Sequence, residues 1–229
     1  MKRFILILAL LLTGSMVLAV DDAALLKEKS CQQYINEIGT TILNANKIDK
    51  HIVFTYNKDE YKKTMNDPAI TKRQIIFYNE YFKYIDNDDE MAAFLAHQIS
   101  RAVKSFSGEW GGFVSSAQIK FAPKKYEIFA DKRAVDYMVN AGYNPIGLIT
   151  LLNKIYPQNV LDKLIFHNPP TRRMAIVYEY IYNNYPYYLA NNPYINNINY
   201  QNFLLNSVEN RAKLKEKIQT GSTKRIKYD

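Results

Sequence analysis

The sequence has a single cysteine, Cys31, among 229 residues. One thiol cannot form an internal disulfide, a CxxC redox pair or a cysteine-based zinc cluster, so these sites are excluded. Glycine and proline number only eight each, which excludes collagen-like and Pro/Gly-rich disordered chains. The length and the apolar content of 48% indicate one globular domain, with or without a helical appendage. We expect Cys31 to be a half-buried helix residue.

The excess of positive charge is concentrated at the C-terminus. The chain carries a formal net charge of +8, and residues 211–229 hold seven basic residues against two acidic ones. A basic stripe across a folded face would indicate nucleic-acid binding, but a basic terminus does not, so we expect no nucleic-acid partner. The simplest interpretation is a solvated, frayed tail, and the alternative is contact with an anionic membrane surface.

The N-terminus has the layout of a secretory signal peptide. A basic start at Met1–Arg3 precedes the apolar run Phe4–Leu12, and Val17 and Ala19 supply small residues at the −3 and −1 positions. This pattern predicts residues 1–19 as a signal peptide cleaved after Ala19, and therefore an exported protein, either periplasmic or secreted. The alternative is an uncleaved membrane anchor, because residues 4–20 reach the lower limit of about 17 residues for a bilayer span.

The rest of the chain predicts a mostly helical α+β domain with one small sheet. Apolar residues at helical spacing predict a helix over residues 21–46, and β-branched and aromatic runs predict strands at His51–Tyr56 and Gln74–Tyr78. We assign residues 20–185 to one domain and residues 186–229 to an Asn/Tyr-rich segment, a C-terminal helix and the basic tail. Further helices are predicted at residues 86–106, 123–141, 145–156, 171–184 (with Thr171 as its cap) and 200–219, with an extended stretch at 113–121.

One predicted helix carries a motif with chemical meaning. Its residues 97–101 read HQISR, so His97 and Arg101 lie four positions apart on one helix face, with Gln98 beside them. In an HExxH zinc site two histidines at this spacing bind the metal, and the glutamate is the general base. The present pattern, HQxxR, keeps the spacing but changes two of the three chemical groups.

Five segments, in the right order, resemble the HtpX and CAAX-prenyl-protease type of zinc metallopeptidases. Residues 89–101, DEMAAFLAHQISR, are similar to the family's active-site helix, which reads like DELAAVLAHEIGH. Residues 75–78 resemble the strand that borders the substrate cleft in this family. Residues 127–131 match the family's ExxAD motif, and residues 137–145 match its YM…AGYDP stretch. Residues 167–173 are similar to the family's HPxxxxR segment. The resemblance implies a zincin-like fold with a small sheet bordering the active-site helix. It further implies that Glu127 is a zinc ligand, that Asp131 orients a metal-bound histidine, and that His167 and Arg173 lie near the cleft.

The departures from the family pattern remove the groups that perform hydrolysis. Gln98 has the shape of glutamate but no basic oxygen, and the Arg101 guanidinium has no lone pair to donate to a metal. Only His97 and Glu127 remain as matched ligands, too few for a usual zinc site, so we expect zinc binding to be weak or absent. Our hypothesis is that Arg101 replaces the metal as the positive centre and pairs with Glu127, while Asp131 holds His97. A separation above about 6 Å between the Arg101 and Glu127 charges would contradict it.

Three functions follow from this reading. The first is an exported pseudoprotease whose cleft still binds a polypeptide without hydrolysing it. The second is an active zinc metalloendopeptidase in which His167 or another group completes an atypical site. The third is an interaction module that uses its C-terminal region.

Overall fold

The computed structural model describes residues 30–59, 72–105, 123–156 and 170–228. The predicted signal peptide, the extended stretch at 113–121 and His167 lie outside these residues. The described part is mostly helical with one small sheet, as the sequence predicted. Its elements are α1 (30–45), β1 (Val53–Asn57), β2 (Gln74–Tyr78), a 3-10 helix (Asn79–Tyr84), α2 (Asp88–Ser105), α3 (Pro123–Asn140), α4 (Ile146–Ile155), α5 (Pro170–Asn184), α6 (Pro186–Ala190), α7 (Ile198–Asn206) and α8 (Val208–Thr220).

The two strands pair in parallel, with Val53 opposite Gln74 and Asn57 opposite Tyr78. The outer edge of β1 is covered by the side chain of Gln32 from α1. Its amide donates to the carbonyl of Phe54 at 3.1 Å and accepts from the amide of Tyr56 at 2.7 Å. One glutamine therefore imitates a neighbouring strand and satisfies backbone groups that an open edge leaves unpaired.

Helix α2 runs through the centre of the core and packs against α3 and α4. Asn87 caps its start by accepting a hydrogen bond from the Glu90 amide at 3.0 Å. Small residues at the contacts between α2 and the neighbouring helices let these helices approach α2 closely. A Cβ atom added to Gly147 of α4 would lie 2.8 Å from the Cβ of Asp89, so only glycine fits there. The fully buried apolar residues of α2 are Met91, Ala92, Ala93, Leu95, Ala96, Ile99 and Ala102.

The acidic first turn of α2 forms hydrogen bonds to α1 and to two connecting segments. Asp88 accepts a hydrogen bond from the Tyr34 hydroxyl of α1 at 2.7 Å. Asp89 accepts from the Asn144 amide at 2.8 Å and from the Tyr194 hydroxyl at 2.5 Å. Acidic side chains in a first turn are favoured by the helix dipole, and in this helix they also bind tertiary partners.

Glu90, the third acid of this turn, is fully buried. One of its oxygens lies 2.6 Å from the Lys154 ammonium of α4, and the other accepts from the Thr150 hydroxyl at 2.8 Å. Lys154 also pairs with Asp86 at 2.5 Å. A buried carboxylate needs such partners, and this network joins α2 to α4.

The C-terminal region differs from three of the sequence expectations. Thr171 lies inside the first turn of α5 and does not cap it. The helix predicted over residues 200–219 is divided into α7 and α8 at Ser207, and the Asn/Tyr-rich segment before it contains the short helix α6. The tail is not frayed, because Tyr228 is only 6% exposed and packs against Ala175 and Ile176 of α5. Burial of this aromatic ring holds residues 222–228 against the domain.

Cys31 is half-buried in α1, as predicted. Among the residues that the structure describes, no helix is both long and apolar enough to cross a bilayer. The N-terminal apolar run lies outside the residues to which this finding applies.

Candidate functional site

Three helices bring the predicted site residues together. Helix α2 carries His97, Gln98 and Arg101, α3 carries Glu127 and Asp131 one turn apart, and α5 carries Arg173. The i, i+4 spacing within α2 and within α3 directs each helix's site residues to a common face. The ion-pair cluster, as we call His97, Arg101, Glu127, Asp131 and Arg173, forms where these faces meet.

His97 lies between the two carboxylates of the cluster. Its Nδ1 is 2.9 Å from Oδ1 of Asp131, and its Nε2 is 3.2 Å from Oε2 of Glu127. Both ring nitrogens therefore face an acceptor, an arrangement that suits the doubly protonated imidazolium. The His97 side chain is only 12% exposed.

Glu127 is flanked by two guanidinium groups. Arg101 Nε lies 3.6 Å from its Oε1, and Arg173 Nη2 lies 3.3 Å from its Oε2. The first distance is well inside the 6 Å limit of our hypothesis. Arg101 also contacts Gln98, whose amide oxygen lies 3.5 Å from its Nη1. The Gln98 amide oxygen thus faces a cation.

Arg173 forms a bidentate ion pair with the buried carboxylate of Asp131. Its Nη2 donates to Oδ1 at 2.7 Å, and its Nε donates to Oδ2. The Asp131 side chain is 1% exposed, so the bidentate pair supplies the charge that this carboxylate needs. The family resemblance implied that Asp131 orients a histidine and that Arg173 lies near the cleft, but it did not predict that the two residues bind each other.

The cluster shifts the pKa values of its members toward their charged forms. Burial alone would lower the pKa of His97, but its hydrogen bonds to Asp131 and Glu127 outweigh burial and raise it above 6.5. Burial likewise opposes ionisation of Glu127, yet His97, Arg101 and Arg173 lower its pKa to about 2. The pKa of Asp131 is also lowered, since Arg173 and His97 outweigh its burial. Near neutral pH both carboxylates are therefore ionised.

This donor set does not fit a zinc ion. Structural and catalytic zinc sites take at least three protein donors, drawn from imidazoles, thiolates and carboxylates. Within the described residues no group of three or more histidine, cysteine, aspartate or glutamate side chains is arranged to hold a metal. The Arg101 guanidinium lies beside Glu127, and its positive charge repels a dication. His167, which could add a donor, lies outside the described residues, and its predicted role stays a prediction.

An apolar cavity of about 200 Å³ opens beside the cluster. His97, Gln98, Arg101, Glu127 and Arg173 line its polar end. The apolar walls come from the 3-10 helix, α2 and α4, and they include Tyr81, Phe94, Leu148, Leu151 and Ile155. The volume is below the range of about 300–1,000 Å³ for sites of drug-sized molecules, and it exceeds the 150 Å³ cavity that holds benzene. The cavity therefore has the size of one large apolar side chain.

The wall residues of this cavity were not predicted from the sequence. Phe94 precedes His97 by three positions and shares its helix face, so helical spacing could have identified it. Tyr156, whose ring lies 5.9 Å from the Arg173 guanidinium carbon, carries no such local signal. Its position depends on how α4 packs against α5.

Comparisons with known proteins give one distant relationship. The chain is 22% identical over 197 residues to the Beta-barrel assembly-enhancing protease of Escherichia coli (strain K12), and the protein of the same name from Shigella flexneri matches equally. The match covers 67% of this chain but 39% of those relatives, so the chain spans about two-fifths of their length. No protein-family model and no solved structure matches. The similarity to a protease supports a metallopeptidase-like relationship.

Proposed function

We propose that the protein is a metallopeptidase-like binding protein with a zincin-like fold, whose cleft holds a polypeptide segment without hydrolysing it. The observation that carries this proposal is the position of the Arg101 guanidinium beside Glu127. A zinc peptidase needs a divalent cation beside this glutamate, where the guanidinium group stands. The cluster instead supplies its own fixed positive charge.

The chemistry of the two substituted positions supports inactivity. Gln98 can orient a water molecule but cannot take its proton, and loss of a general base costs about 10²–10⁴ in rate. Arg101 remains protonated and cannot coordinate a metal. Zinc would therefore bind weakly or not at all, and a bound water would have no base beside it.

Two features support polypeptide binding. The apolar cavity accepts one large side chain, and its polar end offers Arg101 and Gln98 as donors to backbone carbonyls. The sheet contributes an edge for a bound strand. Gln32 covers β1, whereas within the described residues β2 pairs with β1 alone. An extended peptide could add beside β2 in the way that strands augment sheet edges.

The binding proposal is tested with fluorescently labelled β-casein, an unfolded polypeptide. We expect the purified protein to raise the anisotropy of casein equally with and without a chelator, and to release no fragments. Ala93→Phe fills the cavity and Ile76→Trp crowds β2, so each should weaken binding by about tenfold or more. Val53→Trp adds equal bulk to an exposed position on β1 and is the control.

Two results would contradict the proposal. Chelator-sensitive cleavage of casein that His97→Ala abolishes would show an active metallopeptidase. Absence of casein binding by the wild-type protein, or equal binding by all three folded variants, would show that the cleft does not hold a polypeptide. Circular dichroism spectra establish that each variant is folded.

We also propose that the protein is exported and that residues 1–19 are removed. The basic start, the apolar run and the small residues before position 20 support this. Intact-mass spectrometry of protein from the cell exterior or periplasm should give a chain that begins at Val20. A full-length chain recovered only with membranes would support the anchor alternative instead.

A further inference from the structure

A second cavity lies on the opposite side of the seam between α3 and α5. The consecutive residues Arg172 and Arg173 face different cavities: Arg173 joins the ion-pair cluster, and Arg172 lines the second cavity. Side chains of α3 likewise line two different cavities. Glu127 lines the first cavity, whereas Lys132, one residue after Asp131, lines the second. This second cavity has a volume of about 300 Å³ and is independent of the proposed peptide cleft.

The folded C-terminal segment forms one wall of this cavity. Tyr228, Ile226 and Arg225 line it from residues 222–228, and Lys217 lines it from α8. Burial of Tyr228 holds the segment in place, and the Lys213 ammonium donates to the carbonyl of Lys227 at 3.2 Å. The basic tail therefore helps to build a pocket, a role that its composition alone did not reveal.

The charges around the cavity are unbalanced. Among the described residues, four basic side chains line it, Lys132, Arg172, Lys217 and Arg225, and we call these four the basic pocket. Glu179 is the one carboxylate in the described lining, and Lys217 already pairs with it at 2.9 Å. Three cations of the pocket thus face the cavity without a described carboxylate partner.

Two of these cations are partly withdrawn from water. Arg172 and Lys132 are half-buried. The Arg172 Nε is buried and has no hydrogen-bond partner within the described chain, and the Lys132 ammonium lies 5.3 Å from the centre of the Tyr180 ring. Desolvated like charges that gather at one cavity destabilise the fold, and a bound anion would remove that cost.

We propose that the basic pocket binds a phosphate-bearing ligand. A phosphomonoester carries about −1.5 to −2 charge near neutral pH and therefore matches three uncompensated cations better than a single carboxylate does. Arginine forks bind phosphate oxygens with two parallel hydrogen bonds, and Arg172 and Arg225 supply two forks. The apolar side chains of Ile176 and Ile226 line the same cavity and offer contact to the organic part of the ligand.

The first test is calorimetric titration of the purified protein with inorganic phosphate at constant ionic strength. We expect saturable binding, weakened about tenfold or more in Arg172→Gln and in Arg225→Gln, because each loses a charge-assisted contact. Lys215→Gln removes an exposed charge from α8 outside the pocket and should bind as the wild type does. The Arg225 variant changes an exposed side chain, so its loss of binding cannot be attributed to unfolding.

A second arm identifies the source of the phosphate. Flotation with phosphatidylcholine vesicles that contain phosphatidic acid, compared with phosphatidylcholine alone, tests a lipid headgroup. Capture by the phosphatidic acid vesicles that both pocket variants lose supports a lipid ligand, and phosphate binding without capture supports a soluble phosphate ester. The proposal is overturned if the wild type does not bind phosphate, or if both pocket variants bind it as tightly as the Lys215 control.

Discussion

Arg101 Nε lies 3.6 Å from Oε1 of Glu127. Arg101 stands one helical turn after His97, at the position where the HExxH pattern has its second imidazole. At about 4 Å and an effective dielectric constant near 20, a unit ion pair is worth about 4 kcal/mol. Repulsion of a dication from the same guanidinium would be about twice as large. The residue that removes a ligand therefore also makes the space around Glu127 unfavourable for a metal.

The pair Arg173 and Asp131 predicts a large effect on stability. Arg173→Gln leaves the buried Asp131 carboxylate without its counter-charge, so the free energy of unfolding should fall by about 3–5 kcal/mol. Lys215→Gln, at an exposed position on α8, should change it by less than about 0.5 kcal/mol. Urea denaturation measures both. Equal losses in the two variants would show that Asp131 does not depend on Arg173.

The ion-pair cluster also predicts a pH dependence. Because folding raises the pKa of His97, its stabilising contribution is complete below pH 6.5 and is lost as the pH rises through the folded value. Because folding lowers the pKa of Glu127 from 4.5 to about 2, its contribution is complete above pH 4.5 and is lost as the pH falls toward 2. These two groups stabilise the fold most between pH 4.5 and 6.5.

The measurement is the free energy of unfolding in urea between pH 3 and pH 9. The wild type should lose stability above pH 6.5, and His97→Gln should lose much less over that interval. The matched control is His51→Gln, since His51 is exposed at the surface before β1. If the free energy of unfolding of the His97 variant falls above pH 6.5 as steeply as that of the wild type, deprotonation of His97 is not the cause of the loss.

The sequence predicted those parts of the molecule that depend on local spacing. His97 and Arg101 share a face because they are four residues apart, and Glu127 and Asp131 do so for the same reason. The helix predicted over residues 123–141 is followed by Gly142, whose φ of +83° is a left-handed conformation that glycine adopts without strain. Such features need no knowledge of tertiary packing.

Other features depend on distant contacts and gave no local signal. Ser207 separates α7 from α8 although neither glycine nor proline stands there. The burial of Tyr228 depends on α5, which is more than forty residues earlier in the chain. Arg172 and Arg173 are chemically identical neighbours, and only the packing of α3 against α5 assigns them to different cavities.

The buried network of Glu90 gives a further stability prediction. Glu90→Gln removes the charge that partners Lys154 inside the core, and we expect a loss of about 3 kcal/mol in the free energy of unfolding. Glu37→Gln, at an exposed position on α1, should change stability by less than about 0.5 kcal/mol. Chemical denaturation measures the free energy of unfolding of both variants under the same conditions. A loss below about 1 kcal/mol for Glu90→Gln would mean that Lys154 finds sufficient compensation in Asp86.

Reversion of the two substituted positions tests the chemistry of the site. Gln98→Glu alone restores a base without a second ligand, and Arg101→His alone restores a ligand without a base. We expect neither single variant to hydrolyse casein. The double variant should bind more zinc than the wild type, because it offers two imidazoles and Glu127. Hydrolysis by either single variant would contradict this assignment of roles.

The zinc content of the purified wild-type protein, measured by inductively coupled plasma mass spectrometry after equilibration with zinc and removal of the free ion, tests the central claim most directly. We predict far less than one equivalent, with the same residual amount in His97→Ala. Close to one equivalent in the wild type, lost in His97→Ala, would show that the site holds a catalytic metal and would contradict this account.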